Sequence, residues 1–279
     1  MKRCRQYFIP AYGNYYHFIS ETVQGLYHVL EQDKQLQKKD YEFWYKGKYA
    51  PIIQMFSRHP VHKVENWSEI PGNTMVLPHF RPKTHQHWLA LKPLGKYLEA
   101  MVEPQPETAG ITVIKRTTTR KYVEHDELVK GLAKFGMPVR VAILEKLSFP
   151  EQINLMRNTA ILLGPHGAGV TNMIFMPKGS AILELYPKGF YCRVFRAMAK
   201  IFGHLHVDLE SDNPSVIGRQ PSPRVQEYLD RGNWPSRKEF FAWKPDRMEL
   251  GRVLRDVSSF SIEPELVIKR LERMITRRV

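Results

Sequence analysis

An α/β protein made of two doubly wound units is what the chain predicts, on three observations. From residue 111 onward, short β-rich runs alternate with helical patterns. The first hundred residues repeat the alternation on a smaller scale, and EPQPETAG, residues 103 to 110, interrupts it with prolines, acids and a glycine. Parallel strands need a crossover between them, so this alternation places helices on both faces of a parallel sheet. The predicted domains are 1–105, 106–215 and a C-terminal extension, 216–279.

In the first unit a strand leads into a long helix over 15–32. Strands follow in YEFWYK, HKVEN and NTMVLPHF, and then a helix in QHWLALKPLGKYLEAMV. The second unit runs ITVIK, HDELVKGLAKF, VRVAIL, FPEQINLMRN, AILLG, a helix after a glycine turn, SAILEL, VFRAMAKIF and LHVDL. The tail ends in PELVIKRLERMITRRV, where Val267, Leu271 and Met274, flanked by Ile268 and Ile275, form one apolar stripe opposite arginines. Docking of that helix on the body is predicted, with a peripheral membrane contact as the alternative.

The 279 residues are 43% apolar, enough for real cores, and show no repeat or low-complexity tract. A net charge of +14 selects anionic partners without choosing among them. No helix-turn-helix, RNA-recognition or finger motif gathers the basic residues, so only weak, salt-sensitive nucleic-acid binding is expected. Cys4 and Cys192 lie far apart and suggest neither a disulfide framework nor a zinc site. With no apolar run near 18 residues, the default expectation is a soluble, cytoplasmic protein.

The chemistry concentrates in LLGPHGAGVTNMIFMPKGSAILEL, residues 162 to 185. Gly164, Gly167 and Gly169 stand where a strand turns into a helix, which suits either close approach of amide groups to a phosphate or tight packing. Glu184 ends the next strand, where a dinucleotide fold places its ribose-binding carboxylate. The glycine order is not that of a dehydrogenase fingerprint, and no nucleoside-triphosphatase loop is present. Arg116 and Arg120, in the loop leaving ITVIK, reach the same sheet edge and suit an anion clamp.

RTTTRKYVEHDEL followed by GPHGAGVTNMIFMPKGSAILELYP resembles the family-61 glycosyltransferases. That family includes plant β-xylosyltransferases and animal N-acetylglucosaminyltransferases acting on O-mannosyl glycans and EGF repeats. GNYYHFISE, residues 13 to 21, is similar to a further family segment and supplies Asn14, His17 and Glu21. The resemblance implies a GT-B architecture, two Rossmann-like domains facing across a cleft, and an inverting single displacement from a UDP-sugar to a glycan on a polysaccharide or glycoprotein. It implies donor contacts from Arg116, Arg120, His166, Gly167, Ala168, Gly169, Thr171, Asn172 and Glu184, with no cofactor or metal required. On the acceptor side stand Asn14 and Trp88, with Glu21 and His17 as the catalytic pair, Glu21 the preferred base and His17 the alternative. Eukaryotic members usually carry a membrane anchor, which this sequence lacks, so a compact cytoplasmic form is expected.

Other readings stay open. Asp208, Glu210 and Asp212 could form a metal motif, and the histidines of SRHPVHK, with His85 and His87, could form a metal cluster. A non-catalytic nucleotide- or sugar-binding module would keep the same fold.

Overall fold

The structure is a computed structural model that describes residues 5–10, 14–32, 36, 39–77, 88–236, 238–239 and 247–276. Cys4, His85 and His87 lie outside the described residues, as do the end of NTMVLPHF and the start of the helix predicted over 86–102. The chain divides into two compact units, Met1–Gln105 with Phe149–Asn154, and Pro106–Ser148 with Leu155–Val279. No helix among the described residues is long and apolar enough to cross a membrane.

The first unit holds a parallel sheet of β1 (Arg5–Ile9), β2 (Tyr41–Tyr45), β3 (Val61–Lys63) and β4 (Met75–Val76), in the order β3-β2-β1-β4. Strand order reverses between β1 and β4, so the carboxyl end of β1 is a topological switch point, where open α/β sheets bind ligands. From there the chain enters α1 (Tyr15–His17), which continues through a π-helical segment, Phe18–Val23, into α2 (Gln24–Gln32). Phe18, Ile19, Val23 and Leu26 are fully buried and hold this helical stretch in the core. Short α3 (Ala50–Gln54) and α4 (Leu91–Ala100) complete the unit.

The second unit holds β5 (Gly110–Ile114), β7 (Val139–Ala142), β8 (Thr159–Pro165), β9 (Ala181–Tyr186) and β10 (Leu205–Glu210) in the all-parallel order β10-β9-β8-β5-β7. Numbered within the sheet this is the flavodoxin-like order 2-1-3-4-5, whose switch point lies between β5 and β8. Along the chain its strands are joined by α5 (His125–Gly131), α6 (Phe149–Arg157, of which Phe149–Asn154 is counted with the first unit), a 3₁₀ helix, Ala168–Phe175, between β8 and β9, and α7 (Val194–Phe202). The 3₁₀ element is tighter than the helix expected after the glycines. Burial of Ile111, Val113, Ile161, Leu163 and Leu183 against Leu128 and Leu271 forms the main core.

The chain beyond 216 belongs to this unit. Helices α8 (Pro223–Asp230) and α9 (Arg247–Arg255) cluster Val225, Leu250, Val253 and Leu254 with Tyr186 and Phe190. A small parallel pair, β6 (Lys121–Tyr122) with β11 (Ser259–Phe260), stands apart from the main sheet. Helix α10 (Pro264–Thr276) buries Val267, Leu271 and Met274 in the core of α5 and the sheet. Its apolar stripe is therefore taken up inside the unit, which removes the basis for a membrane contact through that helix.

Candidate functional site

In the second unit the switch point is flanked by two loops, the arginine loop after β5 and the glycine turn after β8. The three glycines have different tasks. A Cβ on Gly164 would lie 2.8 Å from the Ile114 Cβ, and one on Gly169 would lie 2.7 Å from Leu144 Cδ1, so these two serve close packing. A Cβ on Gly167 would meet Arg116 Nη1 at 3.0 Å and Arg120 Nη2 at 3.6 Å, so only this glycine faces the guanidiniums. The amides of Gly167, Ala168 and Gly169 find no hydrogen-bond acceptor among the described residues. Open amides beside two guanidinium forks have the chemistry to hold an anion.

Arg116 donates through Nε and Nη2 to the carbonyl and hydroxyl of Thr119, and its nearest described carboxylate is Glu145 at 4.0 Å. Arg120 is buried, sits in the left-handed region at φ 54°, and donates from Nη1 to the Arg255 carbonyl at 2.9 Å. Burial, and next the charge of Arg116, lower its pKa to about 10; Asp256 and Glu184 oppose this only in part. Two guanidiniums held together with little counter-charge are what an incoming anion relieves. Beside them a pocket of about 320 Å³ opens between Lys115, Arg116, Tyr122, His125, Pro165 and Ser259.

Glu184 is not placed as expected. It is fully buried, and its two oxygens accept from His166 Nδ1 at 2.6 Å and His206 Nε2 at 2.7 Å. A direct ribose contact is thereby corrected, because both oxygens are already occupied away from solvent. Burial, the largest influence, pushes the carboxyl pKa up, yet the charges and hydrogen bonds of the two histidines prevail and hold it below the usual range. The His166 ring lies among Tyr186, Phe190 and Phe195, with centroids 5.0–5.3 Å away. It is a largely buried imidazole whose Nδ1 is held by Glu184. Thr171 and Asn172 are likewise buried in the 3₁₀ helix, and the Thr171 hydroxyl has no hydrogen-bond partner among the described residues.

In the first unit the Asn14 side-chain Oδ1 caps α1 by accepting from the Tyr16 amide at 2.9 Å. This cap starts the helix at the carboxyl side of β1, one turn before His17. His17 Nδ1 and Glu21 Oε1 are 2.5 Å apart, with the imidazole side chain 51% exposed and the carboxylate side chain 11%. Glu21 lies on the π-helical segment, a local widening common at functional sites. The pair therefore presents a ring to solvent and keeps the acid behind it. Trp88 donates from Nε1 to the Tyr16 hydroxyl at 3.4 Å, and the Tyr16 ring lies 5.1 Å from that of His17, which ties the indole to the same corner.

Of the residues in the metal readings, Asp208, Glu210, His59 and His62 have other partners, and His85 and His87 lie outside the described residues. Asp208 pairs with Arg196, while Glu210 accepts from the Gly189 amide at 2.7 Å and from the Tyr191 hydroxyl. His59 binds Asp40 at 2.8 Å, and His62 stacks on Trp44. Among the described residues no group of three or more His, Cys, Asp or Glu could hold a metal ion.

A family model described as glycosyltransferase 61 matches residues 15–183, a stretch holding the His17–Glu21 pair, both arginines and the glycine turn. The chain belongs to glycosyltransferase family 61. Among its family-61 relatives is a protein O-linked-mannose β-1,4-N-acetylglucosaminyltransferase 2 of Takifugu rubripes, 35% identical over 86 residues, 30% of this chain and 15% of that one. An EGF domain-specific O-linked N-acetylglucosamine transferase of Drosophila melanogaster is 37% identical over 91 residues, 32% of this chain and 18% of its own. A β-1,2-xylosyltransferase of Oryza sativa is 23% identical over 202 residues, 63% of this chain and 43% of its own. The chain thus spans less than half the length of each of these relatives.

His206, Gly167 as the one glycine facing the arginines, and the Arg255 carbonyl are missed by sequence reasoning. Only the first left a signal: an acid inside an apolar strand needs a buried partner.

Proposed function

We propose that this chain is an inverting glycosyltransferase of GT-B type. It transfers a sugar from a UDP-sugar, UDP-xylose ahead of UDP-N-acetylglucosamine, to a hydroxyl of a glycan on a polysaccharide or glycoprotein. The observation that carries the reading is the convergence of Arg116 and Arg120 on Gly167 at the switch point of the second sheet. The longer alignment with the rice xylosyltransferase favours xylose.

The reaction is one displacement. An acceptor oxygen forms its bond to the anomeric carbon from the face opposite UDP, the bond to the diphosphate oxygen breaks with its electron pair, and UDP departs as an anion. Arg116, Arg120 and the open amides of 167–169 stabilise that charge without a metal, because they are fixed before it develops. His17 takes the acceptor proton at Nε2, since Nδ1 is committed to Glu21, and Glu21 holds the ring and stabilises its charged form. This assignment reverses the preference for Glu21 as base, on the grounds that the carboxylate is the buried member.

Titration calorimetry with UDP, with and without a chelator, tests the proposal. Binding that survives the chelator is expected. No binding removes the donor site, and chelator-sensitive binding removes the metal-free mechanism. Slow release of UDP from one donor in a panel of nucleotide sugars separates an enzyme from a binding module that kept the fold.

A further inference from the structure

The residues that set Arg120 are not in the stretch the family model covers. Arg120 donates its amide to the Val257 carbonyl at 2.8 Å and its Nη1 to the Arg255 carbonyl at 2.9 Å. Lys121 and Val123 continue the contact, donating to the carbonyls of Ser258 and Phe260. The Tyr122 hydroxyl donates to the Ile262 carbonyl at 2.7 Å, and Glu124 accepts from the Ile262 amide and the Ser261 hydroxyl. Ser259, on the same segment, also lines the pocket beside Arg116. The segment is backed by Gly218, where a Cβ would lie 2.6 Å from the Asp256 carbonyl oxygen and 2.8 Å from the Ser258 amide. Val216 bonds Ser258 and Ser259 from that side.

We infer that the C-terminal strap Arg255–Ile262 is a positioning element of the anion site, holding Arg120 where its guanidinium meets a diphosphate. Two observations carry this independently of the family. A non-glycine residue at φ 54° is not the conformation a free loop would choose, and the parallel pairing of β6 with β11 enforces it at the residue next to the pairing. A buried guanidinium that shares its surroundings with a second one also needs an acceptor to stay in place, and the strap supplies the Arg255 carbonyl. Asp256, paired with the Arg255 side chain through both oxygens, adds a carboxylate near Arg120.

The inference rests on the donor-site reading, and the experiment separates the two. Calorimetry on the full chain measures UDP, uridine and inorganic pyrophosphate against wild type, Gly218→Ala, Tyr122→Phe, Arg120→Met and the double variant Arg120→Met/Gly218→Ala, each checked for folding by circular dichroism. Gly218→Ala displaces the strap backbone, while Tyr122→Phe releases the strap at the Ile262 carbonyl without changing any charge. The expected result is a loss of about tenfold or more in UDP and pyrophosphate affinity for folded Gly218→Ala or Tyr122→Phe. Uridine affinity should stay near wild type, and Gly218→Ala should cost nothing further once Arg120 is gone. Either single variant suffices if the other fails to fold. Folded variants that bind UDP as wild type does, or lose uridine and UDP equally, overturn the positioning role. A wild-type chain that takes neither UDP nor pyrophosphate overturns the donor-site reading itself.

Discussion

Replacing Arg120 by methionine separates a functional from a structural arginine. Burial and Arg116 lower its pKa from 12.5 to about 10. At about 1.4 kcal/mol per tenfold, keeping this guanidinium charged in the folded chain costs roughly 3 kcal/mol. The hydrogen bond from Nη1 to the Arg255 carbonyl returns about 1.5–3 kcal/mol, as bonds to charged groups do. The two nearly cancel, so unliganded Arg120→Met should melt within a few degrees of wild type. With UDP at a hundred times its Kd, wild type should gain about 2.7 kcal/mol, or roughly 5–10 °C, and the variant almost none of it. Differential scanning fluorimetry with and without UDP reads both quantities. A variant that melts far below wild type without ligand, yet keeps the full UDP response, would refute the reasoning and make Arg120 a structural residue.

Glu184→Gln should cost about 3 kcal/mol at pH 7, since two buried histidines lose their counter-charge. The folded Glu184 pKa lies below its ordinary 4.5, so its stabilisation is complete above that pH and fades as pH falls toward the folded value. Melts at pH 7 and pH 3 should show the gap between variant and wild type narrowing, because pH 3 lies well inside the window between 4.5 and the folded value of about 2; a gap independent of pH contradicts the pairing. His17→Ala should cut sugar transfer by about a hundredfold or more, and Glu21→Gln by less, with UDP affinity unchanged in both. If turnover persists in both variants, the base lies elsewhere. Gly167→Ala should fold normally, because its φ of 166° is extended backbone, but weaken UDP binding as the methyl enters the space between the arginines. Gly169→Ala should instead lower the melting temperature, by about 1–3 kcal/mol of overpacking against Leu144. Exchanged outcomes for these glycines would invert their assigned roles.

Local pattern carried most of the second unit. Its strands are continuous apolar runs because helices cover both faces, and such runs announce themselves with their bounding turns. AILLG and SAILEL therefore reappear as β8 and β9 within a residue or two. The His17–Glu21 pair was legible for the same reason, since helical periodicity alone brings i and i+4 together. By contrast, β6 and β11 are two residues each and pair across a long separation. No periodicity marks so short a strand, and the feature that reveals it, the positive φ of Arg120, exists only in three dimensions. The π-helical widening at Glu21 is hidden in the same way.

The His166–Glu184–His206 cluster shows what would have been required. In the parallel register Gly164 faces Glu184, and Glu184 faces Asp208. His206 is therefore two residues before Glu184's partner on β10, on the same face of the sheet, and His166 is two residues past its partner on β8. Once the register is known, the three side chains must converge; spacings of 18 and 22 residues alone do not reveal it, because crossover lengths vary freely. The same reasoning explains why the motif by itself is an incomplete description of the site. The matched stretch ends at residue 183, yet Glu184 shares its charge with residue 206, and Arg120 is held by the carbonyl of residue 255. The electrostatics of the glycine turn are thus set partly by chain beyond the motif, and substitutions there should alter anion binding without touching a single motif residue.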